Sequence, residues 1–445
     1  MALTGLQIYK LLPQTNCKQC AFPTCLAFAM KLAAKQAELA ACPFVSEASK
    51  AQLEAASQPP VRLITLSTDG RKAVAGNEIV MFRHEKTFYN RAPVFVRLKD
   101  TQVDIAAKAK EINEFAVDYV GIKLHIDGLA IENASGDAGK FAAAVEAVRG
   151  ATNFPLILVA KDTAAFEVAL AKVNGAVPML YCADESNWQA MAEVAKKFKA
   201  SLAVKANGLE ALAALTDKVK AAGVEDIVLD PGARGFLDTL TLATQIRRLA
   251  IKKNFRPLGY PIITFPGEGV SSADEEPVLA AQHIGKYAGF VVLDNFTPAL
   301  AYALLVLRQN IYTDPQKPIQ VQPGLYEINA PKPESPILVT TNFSITYFSI
   351  SNEVEGAGLP AWLLVADAEG MSVLTAWAAG KFDADRIAKA VKTTGVESKI
   401  SRKRIVLPGA VAVLMGEVEE ALAGWQIEVG PREAVDVPAY LKLKP

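Results

Sequence analysis

Cysteine and histidine are scarce in this sequence of 445 residues, and both are unevenly placed. Of five cysteines, four fall within the first 42 residues. A single cysteine over the remaining chain is not the usage of a disulfide-stapled secreted domain. The three histidines are His84, His125 and His283, so the C-terminal part has none. Long apolar runs are missing as well. The longest, Ala299 to Leu307, is far short of the roughly 20 residues that span a bilayer, which argues against a membrane protein. The N-terminus lacks the charged and apolar segments of a signal peptide. Lys and Arg total 47, as do Asp and Glu, and no basic block stands out, which argues against nucleic acid as a partner. These absences describe a cytoplasmic protein in a reducing compartment, with room for two or three domains.

What is present begins with Cys17, Cys20, Cys25 and Cys42, spaced C-x2-C-x4-C-x16-C. Four thiolates satisfy the open positions of one 4Fe–4S cluster. Structural zinc is the alternative, but its usual pattern is two short-spaced pairs, whereas here three ligands cluster and one stands alone. Sixteen residues of unbroken helix between Cys25 and Cys42 would hold them about 24 Å apart. A helix beginning near Pro23 must therefore break, near Lys35-Gln36, and fold back before Pro43. An exposed cluster further suggests anaerobic life. Leu11 to Pro13 and Phe22 are apolar enough to shield it, although packing alone would explain them.

The organisation then reads as modules. Residues 1–45 form the cluster domain. Residues 46–60 are rich in Ala, Ser, Gln and Glu, end in a Pro pair, and read either as a tether or as a surface helix. A hairpin follows, with strands Arg62–Ser67 and Glu78–Phe82 around turn residues. Within 61–311, strand-like runs at 94–98, 119–124, 155–159, 178–182, 201–205, 226–230, 261–265 and 289–293 alternate with helical patterns. Eight regular units predict an α/β fold closed as a TIM (β/α)8 barrel, with the hairpin capping its bottom. An open doubly wound sheet is the alternative. Cys182 falls in a barrel strand and reads as a buried, inert thiol. The catalytic face would carry Lys123, His125, Asp184, Asn207, Asp230, Gly267-Glu268 and Asp294-Asn295. Such groups could hydrogen-bond a pterin, but every barrel has polar groups there.

Residues 312–336 hold six prolines and read as an extended second linker. Beyond it, strands at Ile337–Thr341, Trp362–Ala366, Arg404–Leu407 and Gln426–Val429 alternate with helices, predicting a small Rossmann-like sheet. Ligands of such sheets sit beyond the carboxyl ends of the strands. Three loops stand there: Thr340-Thr341-Asn342 with Thr346, then Gly370-Met371-Ser372-Val373, then Pro408-Gly409-Ala410. Ordinary turn and cap residues would explain them without any ligand. Neither G-x-G-x-x-G nor G-x-x-x-x-G-K-[ST] occurs at these ends, which argues against a dinucleotide or nucleoside triphosphate.

The run Leu12-Pro13-x-x-Asn16-Cys17-x-x-Cys20 with Pro23-Thr24-Cys25-Leu26-x-Phe28-Ala29 resembles the N-terminal cluster domain of the corrinoid iron–sulfur protein large subunit. The archaeal members of that family are gamma subunits of acetyl-CoA decarbonylase/synthase. The domain order extends the resemblance over the whole chain. One departure is local: relatives often carry Gly after the first two cysteines, where Lys18 and Ala21 stand here.

The resemblance implies a methyl-group carrier of the reductive acetyl-CoA pathway. A corrinoid bound by 325–445 would accept a methyl group as Co(I) from methyltetrahydrofolate or a related pterin, through a methyltransferase. It would deliver that group to acetyl-CoA synthase, while the 4Fe–4S cluster reactivates Co(II). The three loops above, Thr340, Thr341, Asn342, Thr346, Gly370, Met371, Ser372, Val373, Pro408, Gly409 and Ala410, are then where the nucleotide tail would lie. No Asp-x-His-x-x-Gly loop is present, so cobalt would have no protein imidazole below it, which raises its Co(II)/Co(I) potential and suits reduction by a cluster. No side chain of this chain need act as acid or base. The implied partners are a small corrinoid protein subunit, the methyltransferase, and CO dehydrogenase/acetyl-CoA synthase. Two other classes stay open: a pterin-dependent methyltransferase with the barrel as catalyst, and an iron–sulfur electron-transfer subunit.

Overall fold

The structure is a computed structural model that describes residues 4–33, 36–50, 53, 59–119, 121–173, 175–314 and 319–444. The chain divides into two compact units, one formed by 1–116 with 125–312 and the other by 117–124 with 313–445.

The first unit opens on two short helices, α1 (Gly5–Leu11) and α2 (Cys25–Ala33). Thr4 and Gln7 cap α1 reciprocally, each side chain taking the other's backbone N–H. Thr24 accepts from the Ala27 N–H in the same way for α2, two residues later than the start expected near Pro23. The break expected near Lys35-Gln36 adjoins residues 34–35, which lie outside the described residues; the chain resumes as a short 3-10 turn at Leu39–Ala41, directly before Cys42. Of the stretch 46–60, residues 47–50 are helical with Ser46 capping the Ser49 N–H, and residues 51–52 and 54–58 lie outside the described residues.

The hairpin is β1 (Ile64–Thr68) with β2 (Arg71–Ala75). Its second strand comes earlier than the 78–82 expected, because Asp69-Gly70 alone turns the chain (Gly70 has φ +82°). Ile64, Leu66, Ala73 and Ala75 close over Phe95, Ile157, Met179 and Phe290 of the barrel interior, so the hairpin caps the bottom as expected.

The barrel strands are all parallel and closed. The first is β3 (Val94–Lys99). The run at 119–124 is not the second. It is a separate antiparallel pair, β4 (Val117–Tyr119) and β5 (Ile122–Leu124), and it belongs to the other unit. The Asp118 carboxylate accepts from the Gly121 N–H, and Gly121 sits at φ +79°. Both features make a tight turn inside what reads as one strand. The barrel strand is instead β6 (Gly128–Glu132), paired to β3 from Phe95 through Lys99. The rest match the expected runs to within two residues: β7 (Leu156–Val159), β8 (Met179–Ala183), β9 (Ser201–Lys205), β10 (Ile227–Asp230), β11 (Ile262–Thr264) and β12 (Ala288–Leu293). β12 closes onto β3.

The second unit is a five-stranded sheet, in the order β13, β15, β14, β16, β17. The strands are β13 (Gly324–Ile328), β14 (Ile337–Thr341), β15 (Ala361–Ala366), β16 (Arg404–Leu407) and β17 (Gln426–Val429). β13 lies inside the stretch read as an extended linker and pairs antiparallel at the edge; the other four are parallel. Apolar residues fill both faces. Val339, Leu364 and Leu407 pack on one side with Ile387 and Val418, while Leu338, Leu363 and Val406 pack on the other with Val354, Val437 and Leu441. Tyr119 and Ile122 of the hairpin join the second of these cores, which is why that hairpin belongs to this unit.

Candidate functional site

Three of the four N-terminal cysteines gather on one small apolar core. Cys20 and Cys25 are buried with Ile8, Leu12 and Phe28, and half-buried Cys42 packs against the same group, as do Leu11 and Phe22. Cys17 is exposed, and hydrogen bonds from the Gln19 backbone and the Thr15 side chain hold its thiol below its ordinary pKa. Cys25 is fixed by Asn16: its N–H donates to Asn16 Oδ1 at 2.8 Å, and the Asn16 N–H donates to Cys25 Sγ at 3.4 Å. Backbone donors to sulfur are a means by which proteins tune iron–sulfur potentials. Gln14, Asn16, Lys18 and Ala21 all have φ between +50° and +65°, so the loop winds repeatedly through left-handed conformations. Among the described residues, no three His, Cys, Asp or Glu side chains converge on a point that one metal ion could occupy. Four thiolates, three of them gathered on one apolar core, are a donor set that a four-iron cluster can take, one thiolate to each iron.

The barrel's catalytic end is filled by its own charges. Arg97 of β3 donates two hydrogen bonds to Asp294, both 2.7 Å, and a third to Glu268 at 2.7 Å. Glu268 also accepts from Arg234 at 2.7 Å, and Arg234 grips Asp230 through two hydrogen bonds of 2.9 and 3.0 Å. Tyr181 donates to the same Asp230 at 2.5 Å. Both guanidinium groups lie over the Phe265 ring. Burial alone would lower the pKa of each arginine, but the carboxylates around them hold both above their ordinary value. Burial, with the charge of Asp230 added, raises that of Tyr181. Asp230, Glu268 and Asp294 are thus already engaged with arginines of the same barrel.

Two of the remaining rim candidates have local duties. Asp184 and Asn187 bond reciprocally at the start of a helix, and Asn295 donates to buried Glu276. Two candidates are not on this end at all. Lys123 belongs to β5, and His125 precedes Asp127, whose carboxylate binds the Val94 N–H where β3 begins. Only a reading of 119–124 as a barrel strand puts both on the rim. Cys182 lies in β8 as expected, and burial pushes its thiol up to about 12.

In the second unit a cavity of about 310 Å³ opens between the carboxyl ends of β14 and β16. This is where the strand order reverses, since the chain leaves β14 for β15 on one side and reaches β16 on the other. Such a crevice is the usual ligand site of an open parallel sheet. Thr346, Ser372, Val373, Pro408 and Ala410 line it, as the sequence suggests. The others surround it without lining it. Asn342 is a brace: its Oδ1 accepts from the Ala368 and Gly370 N–H groups, both at 2.9 Å, which shapes the turn leading to Met371 and Ser372. Gly409 permits a close approach, because a Cβ there would stand 2.5 Å from the Gly430 carbonyl oxygen. Thr340 and Thr341 are fully buried, and their hydroxyls find no hydrogen-bond partner among the described residues.

Sequence reasoning passed over the fourth wall, Gly430 to Ala434 with Val437. Its signal was available: Gly-Pro directly after the last strand marks a turn at the same sheet edge. It also passed over two exposed apolar residues of the lining, Ile345 and Leu374.

These two features, a cysteine-rich module and a cavity at a sheet's switch point, stand beside a close likeness to known proteins. The family model described as CO dehydrogenase/acetyl-CoA synthase delta subunit matches residues 63–441, and a model described as a putative Fe-S cluster matches 12–44. The chain is 44% identical to the corrinoid/iron-sulfur protein large subunit of Moorella thermoacetica, covering 99% of both chains. It is 35% identical to the acetyl-CoA decarbonylase/synthase complex subunit gamma of Methanopyrus kandleri, covering 99% of this chain and 97% of that one. Among solved structures, dihydropteroate synthase from Thermus thermophilus aligns with 55% of this chain and 98% of its own at 17% identity, with a TM-score of 0.38. The chain belongs to the family of corrinoid/iron–sulfur protein large subunits and acetyl-CoA decarbonylase/synthase gamma subunits.

Proposed function

We propose that this chain is the large subunit of a corrinoid methyl carrier in the reductive acetyl-CoA pathway, acting in the cytoplasm. Three modules divide the work: residues 1–45 hold a 4Fe–4S cluster through Cys17, Cys20, Cys25 and Cys42, residues 61–311 form a barrel scaffold, and 325–445 hold the corrinoid. The observation that carries the reading is the cavity at the switch point of the C-terminal sheet, in a chain whose relatives are named for a corrinoid and an iron–sulfur centre. When bound, the corrinoid would supply a cobalt that takes up and releases a methyl group, and the cluster would supply the electron that restores it after oxidation.

The protein's share is binding and exclusion. The cavity's size is at the low end of the roughly 300–1,000 Å³ of ligand pockets, which suits the nucleotide tail and not the macrocycle. Thr346, Ser372, Val373, Pro408 and Ala410 would contact that tail, and the two orphaned hydroxyls of Thr340 and Thr341 lie at the same strand end. Asn342, Gly370, Met371 and Gly409 would act by shaping the loops. His84, His125 and His283 all lie in the first unit, so no imidazole of the C-terminal module is available to cobalt. Exposed apolar Ile345 and Leu374 suit coverage by another protein, in this reading the small corrinoid protein subunit. The methyltransferase for methyltetrahydrofolate or a related pterin and CO dehydrogenase/acetyl-CoA synthase are the further partners.

EPR of the protein in the Co(II) state tests this. A cobalt without an axial nitrogen gives lines free of nitrogen splitting, and removal of 325–445 should abolish corrinoid binding while leaving the cluster. Nitrogen splitting would refute a cobalt without an axial nitrogen, and corrinoid retained by the truncated chain would move the site elsewhere.

A further inference from the structure

We propose that Arg432 binds the phosphodiester of the corrinoid's nucleotide tail and sets the chain's preference for complete corrinoids over those lacking the tail; this rests on the corrinoid reading above. Among the described residues lining the cavity, Arg432 is the one cation. The other polar side chains there are the hydroxyls of Thr346, Ser349 and Ser372 and the neighbouring carboxylate of Glu433. The floor is apolar, built from Leu338, Val339, Val406 and Leu407. A phosphodiester entering such a space needs a cation, and the walls supply a single one.

Arg432 is also available. Many other arginines of this chain are engaged, among them Arg97 and Arg234 in the barrel mouth, Arg247 with Glu78, Arg308 with Asp127, and Arg404 with Glu428. The guanidinium of Arg432 has no ion-pair or hydrogen-bond partner among the described residues, Glu433 included. Its backbone is nonetheless held in place. The Gly409 N–H donates to the Pro431 carbonyl at 2.9 Å, and the Gly430 N–H donates to the Leu407 carbonyl at 2.8 Å. A Cβ at 409 would come within 2.9 Å of the Arg432 nitrogen. The turn that carries Arg432 is therefore bonded to the turn after β16, and its charge is presented from a fixed base. A guanidinium offers paired donors in a plane, which matches two phosphate oxygens better than an ammonium would.

Three probes separate the tail's parts: cobinamide, which has the macrocycle alone, cobinamide phosphate, and cobalamin. Each is titrated spectrophotometrically into the full chain freed of corrinoid, in the wild-type, Arg432→Gln and Arg432→Lys forms. Wild type should bind cobinamide phosphate and cobalamin more tightly than cobinamide. Arg432→Gln should weaken those two by about 10- to 100-fold, the range of one hydrogen-bonded charge pair, and leave cobinamide unchanged; Arg432→Lys should fall between. A circular dichroism spectrum matching that of wild type reports that each variant is folded. Equal weakening toward all three probes, or no weakening at all, overturns the assignment and leaves the corrinoid site standing. If the wild-type chain binds none of the three, the underlying reading fails with it.

Discussion

Arg97 and Asp294 clasp each other through two parallel hydrogen bonds of 2.7 Å, and they do so across the seam where the barrel closes. Arg97 lies on β3, the first barrel strand, and Asp294 directly follows β12, the last. The pair is 197 residues apart in sequence and locks the two ends of the barrel together.

Removing one partner of a mostly buried pair leaves the other charge without compensation. Arg97→Ala should destabilise the barrel by about 3–5 kcal/mol. Arg97→Lys should recover only part of that, because an ammonium cannot make the paired contact. Urea unfolding followed by tryptophan fluorescence measures both, and a loss below about 1 kcal/mol for Arg97→Ala, the range of an exposed pair, would show the network to be dispensable.

Lys18 and Ala21 hold left-handed conformations that cost a side-chain-bearing residue about 1–2 kcal/mol each. Glycine at either position removes that cost. Lys18→Gly and Ala21→Gly should each slow the loss of iron to a chelator after anaerobic reconstitution, and the double variant should slow it further. Faster iron loss in both would mean that these side chains support the loop.

The five cysteines should separate into two classes. Ser at Cys17, Cys20, Cys25 or Cys42 should each lower bound iron, whereas Cys182→Ser should not. In the folded protein at about pH 8, a thiol pushed up to about 12 is almost wholly protonated, so Cys182 should resist iodoacetamide until the protein unfolds. Mass-spectrometric mapping of the labelled sites decides it.

His283 links the barrel's stability to acid. Burial, and then the charge of Arg234, depress its pKa from 6.5 to about 4, and Lys286 lines the same small cavity. The folded state binds the proton less readily than the unfolded state. The stability contributed is therefore fully present above pH 6.5 and is lost as pH falls toward 4, about 3 kcal/mol in all. His283→Gln should flatten that part of the stability profile, measured by urea titration at closely spaced pH values. An unchanged slope would assign the acid sensitivity to other groups.

What the sequence determined by itself was local. The spacing of the four cysteines limits the kind of centre that can form. The four parallel strands of the C-terminal sheet lie within one residue of where their sequence runs place them; β14, β15 and β16 are buried throughout, and a strand buried on both faces is apolar at consecutive positions. Seven of the eight barrel strands follow for the same reason. The tertiary structure alone decided the rest. Residues 119–124 read as a strand, but Asp118 and Gly121 make a hairpin of β4 and β5 whose Tyr119 and Ile122 find their apolar partners far along the chain, in the C-terminal core. The barrel's carboxylates could be read as partners for a pterin or as ordinary rim groups, and only three-dimensional proximity shows Arg97 and Arg234 holding them. Nothing in the sequence singles out Arg432; it gains significance only when β14 and β16 bring their ends to the cavity that it lines. Burial patterns are written into neighbouring residues, whereas the pairing of charges is settled only when distant segments meet.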